Sequence, residues 1–114
     1  MSKGFWEKLD KPIFLLAPMA DVTDAPFRAI IAKYSRPVGP DVFWTEFVSA
    51  DGLMSKGREH LLHMLKFGEN ERPIVAQLFS GNPEKMRGAA ALCAELGFDG
   101  IDINMGCPDR SVEK

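Results

Sequence analysis

The sequence predicts an α/β fold, and three observations lead to it. Short apolar runs bounded by turn residues alternate with amphipathic stretches, the rhythm of strand followed by helix. The residues that close those runs, Pro18, Glu46, Leu78 and Asn104, follow one another at 28, 32 and 26 residues, a βα period repeated along the chain. Parallel strands joined by single helices form a doubly wound sheet or a closed barrel, and no GxGxxG follows the first run, which favours the barrel. A complete barrel takes about 250 residues, so residues 1–114 are expected to be one partial domain. It is the N-terminal portion of a (β/α)8 TIM barrel, about three and a half βα units.

The first strand is expected over residues 13–17. A helix follows in which Phe27, Ile30, Ile31 and Tyr34 fall at i, i+3, i+4 and i+7, with Pro26 in its first turn and Thr23 or Asp24 as cap. The second strand is read at 41–45, and a second helix at about 57–66 with Leu61, Leu62 and Leu65 inward. The third strand spans 73–78. Its helix carries the clearest signals: Asn82 as N-cap, Pro83 at the first position, Glu84 at the positive end of the dipole, and Gly97 past the end. Met86, Ala89, Ala90 and Cys93 make its apolar stripe, and the small alanines allow close approach to a sheet. The fourth strand, 100–103, runs straight into Asn104-Met105-Gly106-Cys107-Pro108.

Composition narrows the class. With 46% hydrophobic and 26% charged residues the chain is an ordinary globular one, and a net charge of −2 provides no electrostatic footprint for a phosphate backbone within these residues. Cys93 and Cys107 form no CxxC pair, which argues against zinc or a disulfide framework and fits a reducing, cytoplasmic location. The run 13–20 is broken by Pro18 and is far shorter than the ~20 residues of a membrane span. Glu7 and Asp10 ahead of it spoil a signal-peptide reading. His60 and His63 stand three apart without a carboxylate or cysteine pattern, so no metal site is expected and they are read as a polar helix face. Trp6, Trp44 and Phe67 show no stacking register for RNA.

Barrels and doubly wound sheets both bind ligands at the C-terminal ends of their strands. Here those ends carry Pro18-Met19-Ala20, Thr45-Glu46-Phe47, Gln77-Leu78 and Asn104 to Cys107. Gly106 and Pro108 force a turn around the Cys107 thiol, and Asn104 offers an amide beside it, a donor and acceptor for a small polar ring. By spacing alone Cys107 could equally be a small buried hydrophobe, Met19 a core methionine and Gln77 an interior amide with a backbone partner. Cys93, on the inner helix face, is read as structural. No role is assigned to Glu46.

Residues 16–28, LAPMADVTDAPFR, then Thr45-Glu46-Phe47-Val48-Ser49-Ala50, Val75-Ala76-Gln77-Leu78-Phe79 and Asp102-Ile103-Asn104-Met105-Gly106-Cys107-Pro108 together resemble the N-terminal half of a tRNA-dihydrouridine synthase. The resemblance covers nearly everything from Leu15 to Lys114. It implies an FMN-dependent barrel that reduces the C5=C6 bond of selected tRNA uridines, with NADPH recharging the flavin. It further implies that Pro18, Met19, Ala20 and Gln77 contact the flavin, that Asn104 holds the uracil, and that Cys107 is the proton donor. The chemistry accounts for that last residue type: hydride addition at C6 leaves carbanionic charge at C5, and a thiol, with a reference pKa near 8.5, still carries its proton at neutral pH. By the same resemblance, the closing strands, the phosphate-binding loops and a helical RNA-binding domain lie beyond Lys114. The tRNA partner is then met mainly outside this segment, and the segment alone is expected to be inactive. Two other readings compete: a flavin barrel acting on free pyrimidines, such as a dihydroorotate or dihydropyrimidine dehydrogenase, which shares an Asn-x-x-Cys-Pro loop; and a non-catalytic half-barrel.

Overall fold

The computed structural model of the chain describes residues 4–107; residues 1–3 and 108–114, including the turn assigned to Pro108, lie outside it. Four strands, β1 (Leu15–Leu16), β2 (Val42–Ser49), β3 (Ile74–Phe79) and β4 (Gly100–Ile103), pair in parallel in the order β1-β2-β3-β4. Spatial order equal to chain order, with no reversal, is how the first strands of a barrel are wound. The connections carry α1 (Ala25–Ser35), α2 (Ala50–Leu53) and α3 (Pro83–Glu95), with 3-10 turns at Gly4–Lys8, Arg58–His60, Leu62–Leu65 and Glu69–Glu71.

One face of the sheet packs on the helices. Val48, Ala76 and Leu78 meet Ala50, Leu53, Leu65, Ala89 and Cys93, and Phe43 and Ile74 meet Ala32. Sealing each large apolar side chain from water there contributes roughly 1.5–3 kcal/mol. The opposite, inner face carries Val42, Trp44 and Val75, covered by Phe5, Leu9 and Ile13 from the N-terminal segment. The 3-10 turn at Gly4–Lys8 thus plugs the lower part of the inner face, a role that has no periodic signature in the sequence.

β2 runs to Ser49, four residues past its expected end, because of a bulge. Trp44 pairs with Val75 but Phe47 with Gln77, so one residue is inserted. The buried Thr45 hydroxyl stitches the bulge, accepting the Gln77 N–H at 3.1 Å and donating to the Glu46 carbonyl at 2.8 Å. With a side-chain period of two, the insertion reverses parity: Trp44 lies on the inner face, whereas Val48 lies in the helix-side core.

Three expectations are corrected. The first strand pairs over only two residues, since Phe14 is held outside the ladder by the Asp41 carboxylate, which accepts its N–H at 2.7 Å. No α-helix forms over 57–66. Gly57 offers no side-chain cap, and the segment breaks into two 3-10 turns in which Leu65 is buried but Leu61 and Leu62 only half so; the helix proper is the short α2, capped by Ser49 Oγ. In α1 the predicted stripe is rotated: Ile30 and Tyr34 are 59% and 77% exposed, and Arg28 and Ala32 point inward because Arg28 answers a buried carboxylate. The α3 reading holds in each feature, with Asn82 Oδ1 accepting the N–H groups of Glu84 and Lys85, and Gly97 at φ 89°, a left-handed conformation that glycine takes without strain.

Candidate active site at the strand ends

Because all four strands are parallel, their C-terminal ends share one rim; Pro18, Met19, Ala20, Asn104 and Cys107 follow β1 and β4 there, and Gln77 lies two residues inside the end of β3. Behind β1 the chain turns through Pro18, Met19 and Ala20 and is tied down by residues from elsewhere. Thr23 Oγ accepts the Met19 N–H at 2.9 Å and donates to the Met19 carbonyl at 3.2 Å. Asp21 sits at φ 59°, a left-handed conformation uncommon outside glycine, and its N–H is held by Glu46 Oε1 at 2.6 Å. The tie comes from within β2, where the bulge places Glu46.

Arg28 anchors the whole turn. Fully buried, it donates from Nε to Glu71 at 2.7 Å, from one terminal nitrogen to the Thr23 carbonyl at 2.7 Å and from the other to the Lys66 carbonyl at 2.6 Å. The second oxygen of Glu71 accepts the Gly68 N–H at 2.6 Å, so each guanidinium nitrogen and each carboxylate oxygen has a partner. A guanidinium suits this place because its rigid fork meets three acceptors at once.

At the other side of the rim, β3 and β4 bring two predicted residues into contact. Gln77, buried on the inner face, donates from Nε2 to Asp102 Oδ2 at 2.6 Å, and the same oxygen accepts the Trp44 indole N–H at 3.2 Å. Asn104 donates from Nδ2 to Gln77 Oε1 at 3.4 Å, while its Oδ1 accepts the Gly106 N–H at 3.1 Å and so shapes the turn leading to Cys107. The rings of Phe47 and Phe79 pack edge to face with centroids 5.1 Å apart, beside Gln77 in the register. Cys107 is half-buried and free, and among the described residues it makes no hydrogen bond. Cys93, by contrast, lies deep in the helix-side core, where burial pushes its thiol up to about 11.

Gln77 thus sets a polar amide beside the Phe47 and Phe79 rings, and Met19 is exposed behind β1. Five residues brace these strand ends without having been singled out for it in the sequence: Thr23, Arg28, Glu46, Trp44 and Asp102. Thr23 and Arg28 stand inside a recognised motif, and Asp102 is a charge inside an apolar strand, which is a signal in itself. A cavity of about 670 Å³ between the β1 turn and the Leu62–Leu65 turn, lined by Asp21, Asp24, Glu46, His63 and Lys66 among others, contains none of the predicted site residues. Among the described residues no group of three or more His, Cys, Asp or Glu is placed to hold a metal, and no helix is long and apolar enough to cross a membrane.

Residues 15–114 match the protein family described as dihydrouridine synthase (Dus). The chain is 45% identical over 113 residues to a probable tRNA-dihydrouridine synthase 2 of Bacillus subtilis (strain 168), covering 98% of this chain and 34% of that protein. It is 42% identical over 115 residues to a probable tRNA-dihydrouridine synthase of Staphylococcus aureus (strain COL), covering 100% and 34%. The chain thus spans about a third of the length of these curated relatives. These relatives are named as tRNA-dihydrouridine synthases, and the reading as an enzyme of free pyrimidines is not favoured. This chain belongs to the dihydrouridine synthase family.

Proposed function

We propose that this chain is the N-terminal part of the catalytic barrel of an FMN-dependent, cytoplasmic tRNA-dihydrouridine synthase, which reduces the C5=C6 bond of specific tRNA uridines. The observation that carries the reading is the contact between Gln77 and Asn104 on adjacent strand ends, with a free thiol three residues farther on. Pro18, Met19, Ala20 and Gln77 hold the flavin ring. When bound, FMN recharged by NADPH supplies the hydride that adds at uracil C6. Asn104 holds the uracil from the neighbouring strand. Cys107 Sγ gives its proton to C5, and the thiolate left behind is reprotonated from solvent, which the half-buried side chain can reach. A uridine in a flexible loop leaves its stack at low cost, which favours such sites as substrates.

The test uses the full-length polypeptide that carries this segment. Cys107→Ala is expected to lose dihydrouridine formation on unmodified tRNA by on the order of 10²–10⁴, the contribution of a positioned general acid, while still binding FMN and accepting electrons from NADPH. Cys93→Ala should retain turnover. Near-wild-type turnover in Cys107→Ala would remove the thiol from the mechanism.

A further inference from the structure

The strand-end network has a direction, and Asp102 sets it. A carboxylate only accepts, so the Gln77 atom lying 2.6 Å from Asp102 Oδ2 must be the amide nitrogen. Gln77 Oε1 then faces Asn104, which must answer with its own nitrogen, and Asn104 Oδ1 turns to the Gly106 N–H. The Trp44 indole N–H, a donor only, reaches across β3 to the same Asp102 oxygen and holds the carboxylate in place. Donation therefore runs one way, from Gly106 through Asn104 and Gln77 to Asp102, and each bond polarises the next.

We propose that Asp102 is a positioning residue: by fixing both amides in one orientation, it leaves the second N–H of Gln77 and the second N–H of Asn104 as the groups presented at the rim. Two donors suit ligands whose ring edges carry carbonyl oxygens, as both the flavin and uracil do. They disfavour a ring edge that presents an amino group instead. The inference rests on the proposed function for which ligands approach Gln77 and Asn104. The orientation itself rests on the acceptor-only chemistry of Asp102.

The test compares Asp102→Asn with the exchange Asp102→Asn/Gln77→Glu in the full-length polypeptide. An amide at position 102 can donate as well as accept, so Gln77 is free to flip. In the exchange every link survives: the amide introduced at position 102 donates to the carboxylate introduced at position 77, and Asn104 still donates to that carboxylate, but the spare N–H at position 77 is gone. Two quantities are measured, FMN affinity of the apoprotein by flavin fluorescence titration, and KM against kcat for unmodified tRNA. Asp102→Asn is expected to weaken FMN binding and raise KM by about tenfold each, the worth of one misdirected hydrogen bond, with the unfolding midpoint unchanged. The exchange is expected to leave FMN binding as weak or weaker. Recovery of wild-type affinity in the exchange would make the link a strut and overturn the proposal, as would an Asp102→Asn variant with unaltered FMN affinity and KM. If the wild-type polypeptide itself binds no FMN and makes no dihydrouridine, the functional reading falls, and this inference with it.

Discussion

The first and fourth strand ends stand on the same rim but are held in opposite ways. Behind β1 the turn is closed locally by Thr23 on Met19 and then fixed from outside, by Glu46 on Asp21 and by Arg28, which joins Thr23 to Lys66 and Glu71. Behind β4 the segment has lighter ties, Asn104 to Gly106 within the turn and a single long bond of 3.4 Å to Gln77 on the neighbouring strand, and Met105 is 91% exposed. A surface that receives a resident cofactor gains from being built before the ligand arrives. One that receives a base extruded from RNA has to remain open. On the proposed function, the difference in how the two ends are held follows from the difference in what they bind.

The largest effect should come from cutting the long-range ties. Arg28→Met leaves Glu71 buried without its partner and two carbonyls without donors, and should cost about 3–5 kcal/mol of stability in denaturant unfolding followed by tryptophan fluorescence. Arg28→Lys should recover little, because one ammonium cannot meet three acceptors in fork geometry. Adding Glu71→Gln should restore part of the loss, since the stranded charge is then gone. A cost below about 1 kcal/mol for Arg28→Met would mean that the first end does not depend on this anchor.

The two cysteines sharpen the contrast, being one residue type in the sealed and the open environment. Below pH 9 the Cys93 thiol is protonated in both folded and unfolded chains and its burial contributes in full. Between 9 and 11 only the folded state keeps the proton, so stability should fall with rising pH by roughly 1.4 kcal/mol per unit. Cys93→Ala should remove that slope, measured as the difference between the two proteins' pH profiles. At neutral pH a thiol reagent should label Cys107 long before Cys93. A smaller effect is expected at the α1 cap, where Asp24 accepts the Phe27 N–H at 2.9 Å: Asp24→Ala should cost about 1 kcal/mol, read from the same unfolding curves.

Much of this architecture is legible in the sequence, for reasons tied to range. The α3 helix reads correctly from cap to Gly97 because its signals are local, and the ends of β3 and β4 come within a residue because turn residues close those apolar runs. The α1 face misleads because apolar periodicity cannot anticipate a buried arginine: the pattern of Phe27, Ile30, Ile31 and Tyr34 is intact, yet a carboxylate 43 residues away turns Arg28 inward. The 57–66 segment misleads likewise, its leucine spacing helical but its path set by delivering the Lys66 carbonyl to that same guanidinium. Glu46 shows no role in the sequence because the bulge that aims it is a property of the β2–β3 register. Asp102 escapes notice there because its partners, Trp44 and Gln77, lie on other strands.

The smallest expected stability effect falls on a residue whose loss should still be felt in function. Asn104 is half-buried, its bond to Gln77 is long at 3.4 Å, and its other bond closes a local turn. In Asn104→Ala the exposed Gly106 N–H can turn to water, and Gln77 keeps its shorter bond to Asp102 at 2.6 Å, so only the long bond of the network is lost. Unfolding should therefore shift by no more than about 0.5 kcal/mol, as for other substitutions away from buried networks. If Asn104 presents its remaining N–H to the substrate, the same change should cut dihydrouridine formation by about tenfold or more, through KM for tRNA, with flavin reduction by NADPH intact. The two measurements break the comparison in different ways. A stability loss above about 2 kcal/mol would make Asn104 a structural anchor like Arg28, and the fourth end would no longer be the loosely held one. Unchanged KM with unchanged stability would leave the fourth end open, as described, but would take the uracil away from Asn104.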